Sequence, residues 1–258
     1  MILANKRAII TGASKGVGFA LAKKLADLGC SLTLIARNED SLKQNLNQLS
    51  IKDANQKHSY ISYDLAKLLT DEESAKKPIM DCIDGLSILI NCAGLTNHTL
   101  LSRIKDDTII STINLNLIVP ILLTRLSTKP MLKQAARQKE NEIKPQILNI
   151  SSVLSLTNTL MPGTSVYSAS KSGLLGFTNA LAYELKNKVK INSILPGLIF
   201  ETEMGANANL KGEELHAIPL DTVINEAVKI ILDNSINGQN IIVDGRGTKP
   251  FQIYKGQY

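Results

Sequence analysis

Seven short β-branched runs recur along this chain, separated by segments of helical period, and that alternation restricts the fold more than any other feature. The runs are RAIIT (7–11), SLTLIA (31–36), HSYISY (58–63), LSILIN (86–91), QILNIS (146–151), KINSIL (190–195) and NIIVD (240–244). Between them, segments such as GFALAKKLADLG and GLLGFTNALAYELKN space apolar residues three and four apart. Strands alternating with helices read as βαβ units, whose strands run parallel and whose crossovers are right-handed. No linker, repeat or low-complexity tract divides the 258 residues. The pattern predicts a single α/β domain over 1–258, a doubly wound three-layer sandwich on a seven-stranded parallel sheet. The helical pattern at 105–126 passes into STKPMLKQAARQKENEIKPQ, the least regular stretch of the sequence.

The first strand leads into AIITGASKGVGFALAKKL. Gly12, Gly16 and Gly18 fall where the backbone must turn sharply and approach a ligand without a Cβ in the way. The helix that follows would turn free N–H groups and a positive dipole end toward a pyrophosphate. The spacing is G-x-x-x-G-x-G, but strand before and helix after supply the context that a dinucleotide site requires. The second strand ends in LIARN, so Arg37 stands where a carboxylate would otherwise hold a ribose 2′-hydroxyl, and Lys15 lies nearby in the glycine turn. Two cations there favour the 2′-phosphate of NADPH over NADH.

Two Tyr–Lys pairs sit four residues apart, Tyr63 with Lys67 and Tyr167 with Lys171. The first pair straddles a strand end and a turn, so the side chains need not share a face. The second opens a long helical pattern, where positions i and i+4 project together. An ammonium beside a phenol favours phenolate and lowers a pKa that starts near ~10. The expectation is therefore that Lys171 tunes Tyr167 as a proton donor. Asp64, between Tyr63 and Lys67, interests us separately, because it ends a strand where open α/β sheets bind ligands. NISSV places Ser151 and Ser152 at that same edge, and INCAG places Asn91 to Gly94 there.

Composition narrows the function. Trp is absent and aromatics make up 4%, which disfavours a stacking platform for nucleic acid. A net charge of +6 and a pI near 9.1 lean toward an anionic partner. Cys30, Cys82 and Cys92 form no even set and no C-x-x-C, and the three His are scattered, so neither a disulfide framework nor a metal site is expected. No apolar run reaches the roughly 18 residues of a membrane span, and the first strand begins too close to Met1 for an ordinary presequence.

In order, TGASKGVG, DL (64–65), NCAG, NLNLIVPILLT, NISS, YSASK, LPGL and NGQNIIVDG resemble the short-chain dehydrogenase/reductase family over nearly the whole chain. That resemblance implies a Rossmann-type fold and a catalytic set of Asn116, Ser152, Tyr167 and Lys171. Asn114 remains an alternative to Asn116, and Ser151 or Ser155 to Ser152. It implies cofactor contacts from Gly12, Ser14, Lys15, Gly16, Val17 and Gly18, then Arg37, Asp64 and Leu65. Asn91, Ala93, Gly94, Tyr167, Lys171, Pro196, Gly197, Ile199 and Thr202 complete the implied set. Asn116 would hold a water that restores the donated proton. SVYSASKSGLLGFTNALAYEL and IPL (218–220) are most similar to 3-oxoacyl-[acyl-carrier-protein] reductases, LINCAGLT to their fungal mitochondrial form. The sequence departs from the family pattern at Cys92 and at DGRG.

The resemblance implies NADPH-dependent reduction of a 3-oxoacyl group carried by acyl-carrier protein, in fatty acid synthesis. It also implies a homotetramer contacting through 105–126 and 166–187, and the mitochondrial matrix, with the cytoplasm as alternative. Rival readings are a reductase of small free ketones, quinones or steroids, and a non-catalytic NADPH-sensing subunit. An acidic carrier would need basic residues, for which Lys129, Lys133 and Arg137, or Lys186 and Lys188, are the candidates.

Overall fold

The computed structural model describes residues 1–156, 161–206 and 217–251. Its strands are β1 (Arg7–Thr11), β2 (Ser31–Ala36), β3 (His58–Ser62), β4 (Ile88–Asn91), β5 (Gln146–Ile150), β6 (Lys190–Pro196), β7 (Asn240–Asp244) and β8 (Gly247–Phe251). They form one sheet in the order β3-β2-β1-β4-β5-β6-β7-β8. The seven expected strands pair in parallel, and β8 is an addition that pairs antiparallel with β7. The sheet is thus eight-stranded rather than seven-stranded. GTKPF carries a glycine and a proline, which demote a run in any sequence reading, and Pro250 is tolerated because β8 is an exposed edge.

Adjacent strand residues feed opposite cores, as the two-residue period demands. Ile10, Ile90 and Leu148 point to the side covered by α1 (Gly16–Asp27) and α8 (Leu220–Leu232), against Leu21, Leu25, Ile224 and Ile231. Their neighbours Ile9, Leu89 and Ile147 point the other way, to Ile79 and Ile83 of α3 (Glu73–Ile83), to Leu123 and to Leu185. A short α2 (Glu39–Leu46) follows β2. Because the chain crosses to opposite sides of β1, the carboxyl ends of β1 and β4 leave a crevice at the switch point, where open α/β sheets bind ligands.

The segment after β4 forms α4 (Asp106–Ile113), a π-turn over Asn114–Ile118 and α5 (Val119–Ala135). Helix therefore continues well into the stretch that the sequence marks as irregular, with Pro130 inside it. By length and composition Asp106–Ala135 could cross a membrane, although charged and polar residues interrupt its apolar runs. Val119, Leu123 and Met131 nevertheless pack under the sheet, the behaviour of a core helix in a doubly wound fold. Further on, α6 (Ser165–Glu184) and a short α7 (Glu203–Ala206) flank β6.

Candidate active site

A cavity of about 740 Å³ opens at the carboxyl ends of β1, β4, β5 and β6, a size that suits a small-molecule ligand. Its floor is the glycine turn. Gly12 has φ +67°, and a Cβ there would sit 2.8 Å from Ala93 Cα, while one on Gly18 would sit 2.5 Å from the Gly12 carbonyl oxygen. Only glycine fits either place. Asn45 of α2 donates to the carbonyls of Ala13 and Ser14 at 3.0 and 2.9 Å, fixing the turn from behind. Thr11 Oγ1 accepts from the amides of Cys92 and Ala93, both at 3.0 Å, and ties the turn to the loop after β4. The first turn of α1 has neither a side-chain cap nor an acidic residue. Its N–H groups are left for an anion, so these residues fit a dinucleotide pyrophosphate.

Most of the predicted contacts line this cavity: Ser14, Lys15, Gly16, Val17, Arg37, Asp64, Leu65, Ala93, Gly94, Ser152, Tyr167, Lys171, Pro196, Gly197, Ile199 and Thr202, with Gly12 and Gly18. Asp64 accepts from the Ala66 amide at 3.1 Å, which pins the start of a 3₁₀ turn. Arg37 makes no ion pair among the described residues, but Lys15 is bonded to Glu203 of α7. Lys15 is therefore not the unpaired cation that the sequence suggests.

Two predicted residues lie elsewhere. The Asn91 side chain turns away from the cavity and donates to Asn149 at 2.8 Å, joining a buried polar row completed by Thr178 and Ser193. Asn116 is fully buried in the π-turn. Its amide accepts from Leu95 N at 2.7 Å and donates to Leu95 O and Ser170 Oγ at 2.8 and 3.0 Å. With both donors engaged, the Asn116 side chain positions the Gly94–Leu95 loop. Asn114, the alternative, donates to Ala66 O at 2.7 Å.

Tyr167 and Lys171 face the cavity from the first turns of α6, and both are buried. Ser152 is the serine whose hydroxyl favours the ionised form of the Tyr167 phenol, and both line the cavity. Ser151 instead donates to Lys171 O at 3.0 Å, and Ser155 donates to Ser152 O. Lys171 donates from Nζ to Ile150 O at 2.8 Å and lies 6.0 Å from the Tyr167 ring centre. Burial dominates both groups: it pushes the Tyr167 phenol up to about 12, partly offset by Ser152, and pushes Lys171 down to about 8. The expected lowering of Tyr167 is not what this arrangement produces, because burial of the phenol raises its pKa by more than its neighbours lower it. The rival pair separates: Tyr63 donates to Asp71 at 2.9 Å, while Lys67 sits in the turn beyond.

The pH dependence follows from these directions. Lys171 keeps its proton below about pH 8 and loses it above, whereas Tyr167 remains a phenol throughout. Activity measured as kcat/KM, which reports the free enzyme, should be level through neutrality and fall above about pH 8. An acid-side limb with no alkaline fall would assign the essential group elsewhere.

Lys186 and Lys188 lie far from this chemistry. Tyr167 is in the first turn of α6, and Lys186 and Lys188 follow its last, about 28 Å away along the axis. Lys129 and Lys133 sit in the second half of α5, while Arg137 lies beyond its end.

A glycine turn opening on an uncapped helix, with a buried Tyr and Lys and a partly exposed Ser at the other end of the crevice, defines a dinucleotide-dependent oxidoreductase of the doubly wound class. The short chain dehydrogenase family matches residues 6–213, and the chain belongs to that family. It is 33% identical over 256 residues to a 3-oxoacyl-[acyl-carrier-protein] reductase of Chlamydia muridarum, covering 95% of this chain and 98% of that one. It is 32% identical to the Bos taurus 3-oxoacyl-[acyl-carrier-protein] reductase, over 93% of this chain and 97% of the relative. Among solved structures, a short chain dehydrogenase/reductase family protein superposes with a TM-score of 0.79 at 21% identity, covering 95% and 98% of the two chains. A metagenomic short-chain oxidoreductase in complex with NADP gives 0.73 at 23% identity, over 94% and 98%. These superpositions speak to the fold.

Sequence reasoning missed Thr11, Asn45, Ser170 and Glu203. Asn45 alone carried a signal, a polar residue where the helical period calls for burial. The other three act through partners between 54 and 188 residues away.

Proposed function

We propose that the protein reduces 3-oxoacyl groups on acyl-carrier protein to 3-hydroxyacyl groups with NADPH, as a step of fatty acid synthesis. The observation that carries the reading is the meeting of Tyr167, Ser152 and Lys171 in one cavity with the glycine turn and Arg37. The names of the relatives supply the substrate class, and Arg37 at the ribose end supports the phosphorylated cofactor. Held by the glycine turn and Arg37, the cofactor would supply hydride for the ketone carbon. Tyr167 gives its proton to the oxygen, and Ser152 donates a hydrogen bond to that oxygen as charge develops there. Lys171, charged at neutral pH, favours the tyrosinate that remains. Asn116 acts on this set by holding the Gly94–Leu95 loop.

We further propose a homotetramer in the mitochondrial matrix. Ile110 and Ile118 are exposed on the α4–α5 helix, and Tyr183 on α6, which suits an apolar contact between copies. A two-fold packing with these helices antiparallel would bring the far end of one α6 beside the cleft of the other copy. That arrangement gives Lys186 and Lys188 access to a carrier that the distance within one chain denies them. Cell fractionation tests the compartment, and a purely cytosolic pool would overturn that part.

The carrier is tested by charge reversal. Lys186→Glu with Lys188→Glu should raise KM for carrier-bound substrate about tenfold and flatten its salt dependence, because rim charges act on encounter. Activity on a small thioester should hold. Equal loss on both substrates would remove these lysines from docking.

A further inference from the structure

At the cofactor end of the cavity a cation is already occupied. Lys15, in the glycine turn, is bonded through Nζ to Glu203 Oε2, although the two residues are 188 apart in sequence. Both side chains are solvent-accessible and both line the cleft. The carboxylate is held in place by its segment. Thr202 Oγ1 donates to Ile199 O at 2.8 Å and accepts from Gly205 N at 3.1 Å, which closes a compact turn just before α7. A Cβ on Gly205 would lie 2.0 Å from the Ile199 carbonyl oxygen, so the turn admits no bulkier residue. Thr202 itself packs over the glycine turn, its Cγ2 lying 3.5 Å from a Cβ position on Gly16. Asn38, beside Arg37, is engaged in capping α2 through Ser41 N at 2.8 Å, and Glu39 pairs with Lys43.

We propose that Glu203 is a specificity-determining residue that stands in for the cofactor's 2′-phosphate on Lys15. The inference rests on the NADPH reading given above. In the free cleft the carboxylate neutralises Lys15, leaving Arg37 as the ready cation. A 2′-phosphate, doubly charged and with three acceptor oxygens, outcompetes a single exposed carboxylate for an ammonium. Its arrival releases Glu203, and with it the link between α7 and the glycine turn. A dinucleotide with a free 2′-hydroxyl has no charge to offer Lys15 and leaves the pair in place. Glu203 therefore taxes NADPH binding by the strength of one exposed ion pair. It also couples recognition of the ribose phosphate to the Thr202 turn that leads into α7.

The test is calorimetric binding of NADP⁺ and NAD⁺ to the unliganded protein, with no turnover involved. Glu203→Gln should tighten NADP⁺ about threefold more than NAD⁺, the range of one exposed pair. In a Lys15→Ala background the same substitution should leave the NADP⁺/NAD⁺ ratio unchanged, because the competitor has lost its target. Equal shifts for both dinucleotides, or a Glu203→Gln effect that survives Lys15→Ala, would overturn the role of Glu203. The underlying reading fails separately: Lys15→Ala alone should weaken NADP⁺ more than NAD⁺, and an equal loss would take Lys15 out of 2′-phosphate recognition. Thermal unfolding of each variant shows that the fold is retained.

Discussion

Replacing Tyr167 by Phe should lower kcat by roughly 10²–10⁴-fold, the range for loss of one general acid. The change removes a single oxygen from a ring that stays packed, since Tyr167 belongs to the cluster formed with Val153, Leu175 and Leu195. Cofactor affinity and melting temperature should therefore barely move, which separates loss of the proton donor from loss of the fold. Tyr63→Phe serves as the internal comparison, because Tyr63 is bonded to Asp71 rather than to the reacting end of the cavity. Steady-state rates for the two variants, with cofactor binding measured in parallel, check the assignment. Near-normal turnover in Tyr167→Phe would return the choice between the two pairs to the beginning.

Replacing Gly12 by Ala should disable the cofactor end of the cavity. At φ +67° an alanine is strained whatever its surroundings, and its Cβ would be driven to 2.8 and 2.9 Å from Ala93 Cα and N. Both contacts are backbone, so neither can swing aside. The turn and the loop after β4 must part, and the bonds from Cys92 and Ala93 to Thr11 go with them. We expect a stability loss of about 1–3 kcal/mol and at least a tenfold rise in dinucleotide Kd. Gly176→Ala is the control: it lies within α6 with nothing within 4 Å of its Cβ position. There alanine should stabilise the helix by up to about 1 kcal/mol. Denaturant unfolding and calorimetric binding distinguish the two outcomes.

The alternation of runs carried the seven parallel strands and the position of the crevice, because burial on both faces forces a strand to read as continuous apolar residues. β8 escaped because an exposed edge strand needs no such pattern. Within the site, glycines and strand-end polar residues were legible wherever function and local geometry coincide, as at Gly12, Ser152 and Tyr167. Asn91 shows the limit. It ends a strand at the right edge, but the two-residue period turns its side chain to the core row with Asn149. Lys15 shows another, since no spacing rule announces a partner 188 residues downstream. The tuning of Tyr167 was misread for a third reason: adjacency on a helix gives direction, while the sign of a pKa shift depends on burial. Lys186 and Lys188 follow the last turn of α6, at the opposite end of that helix from Tyr167.

One comparison tests the proposed function most directly: kcat/KM for NADPH oxidation with an acetoacetyl group on acyl-carrier protein, against free ketones. Both are measured at one salt concentration with the unmodified protein. The account predicts a preference for the carrier-bound substrate of at least a hundredfold, since only that substrate adds docking to the shared carbonyl chemistry. Equal or greater efficiency on a free ketone, quinone or steroid would contradict it and identify a reductase of small carbonyls.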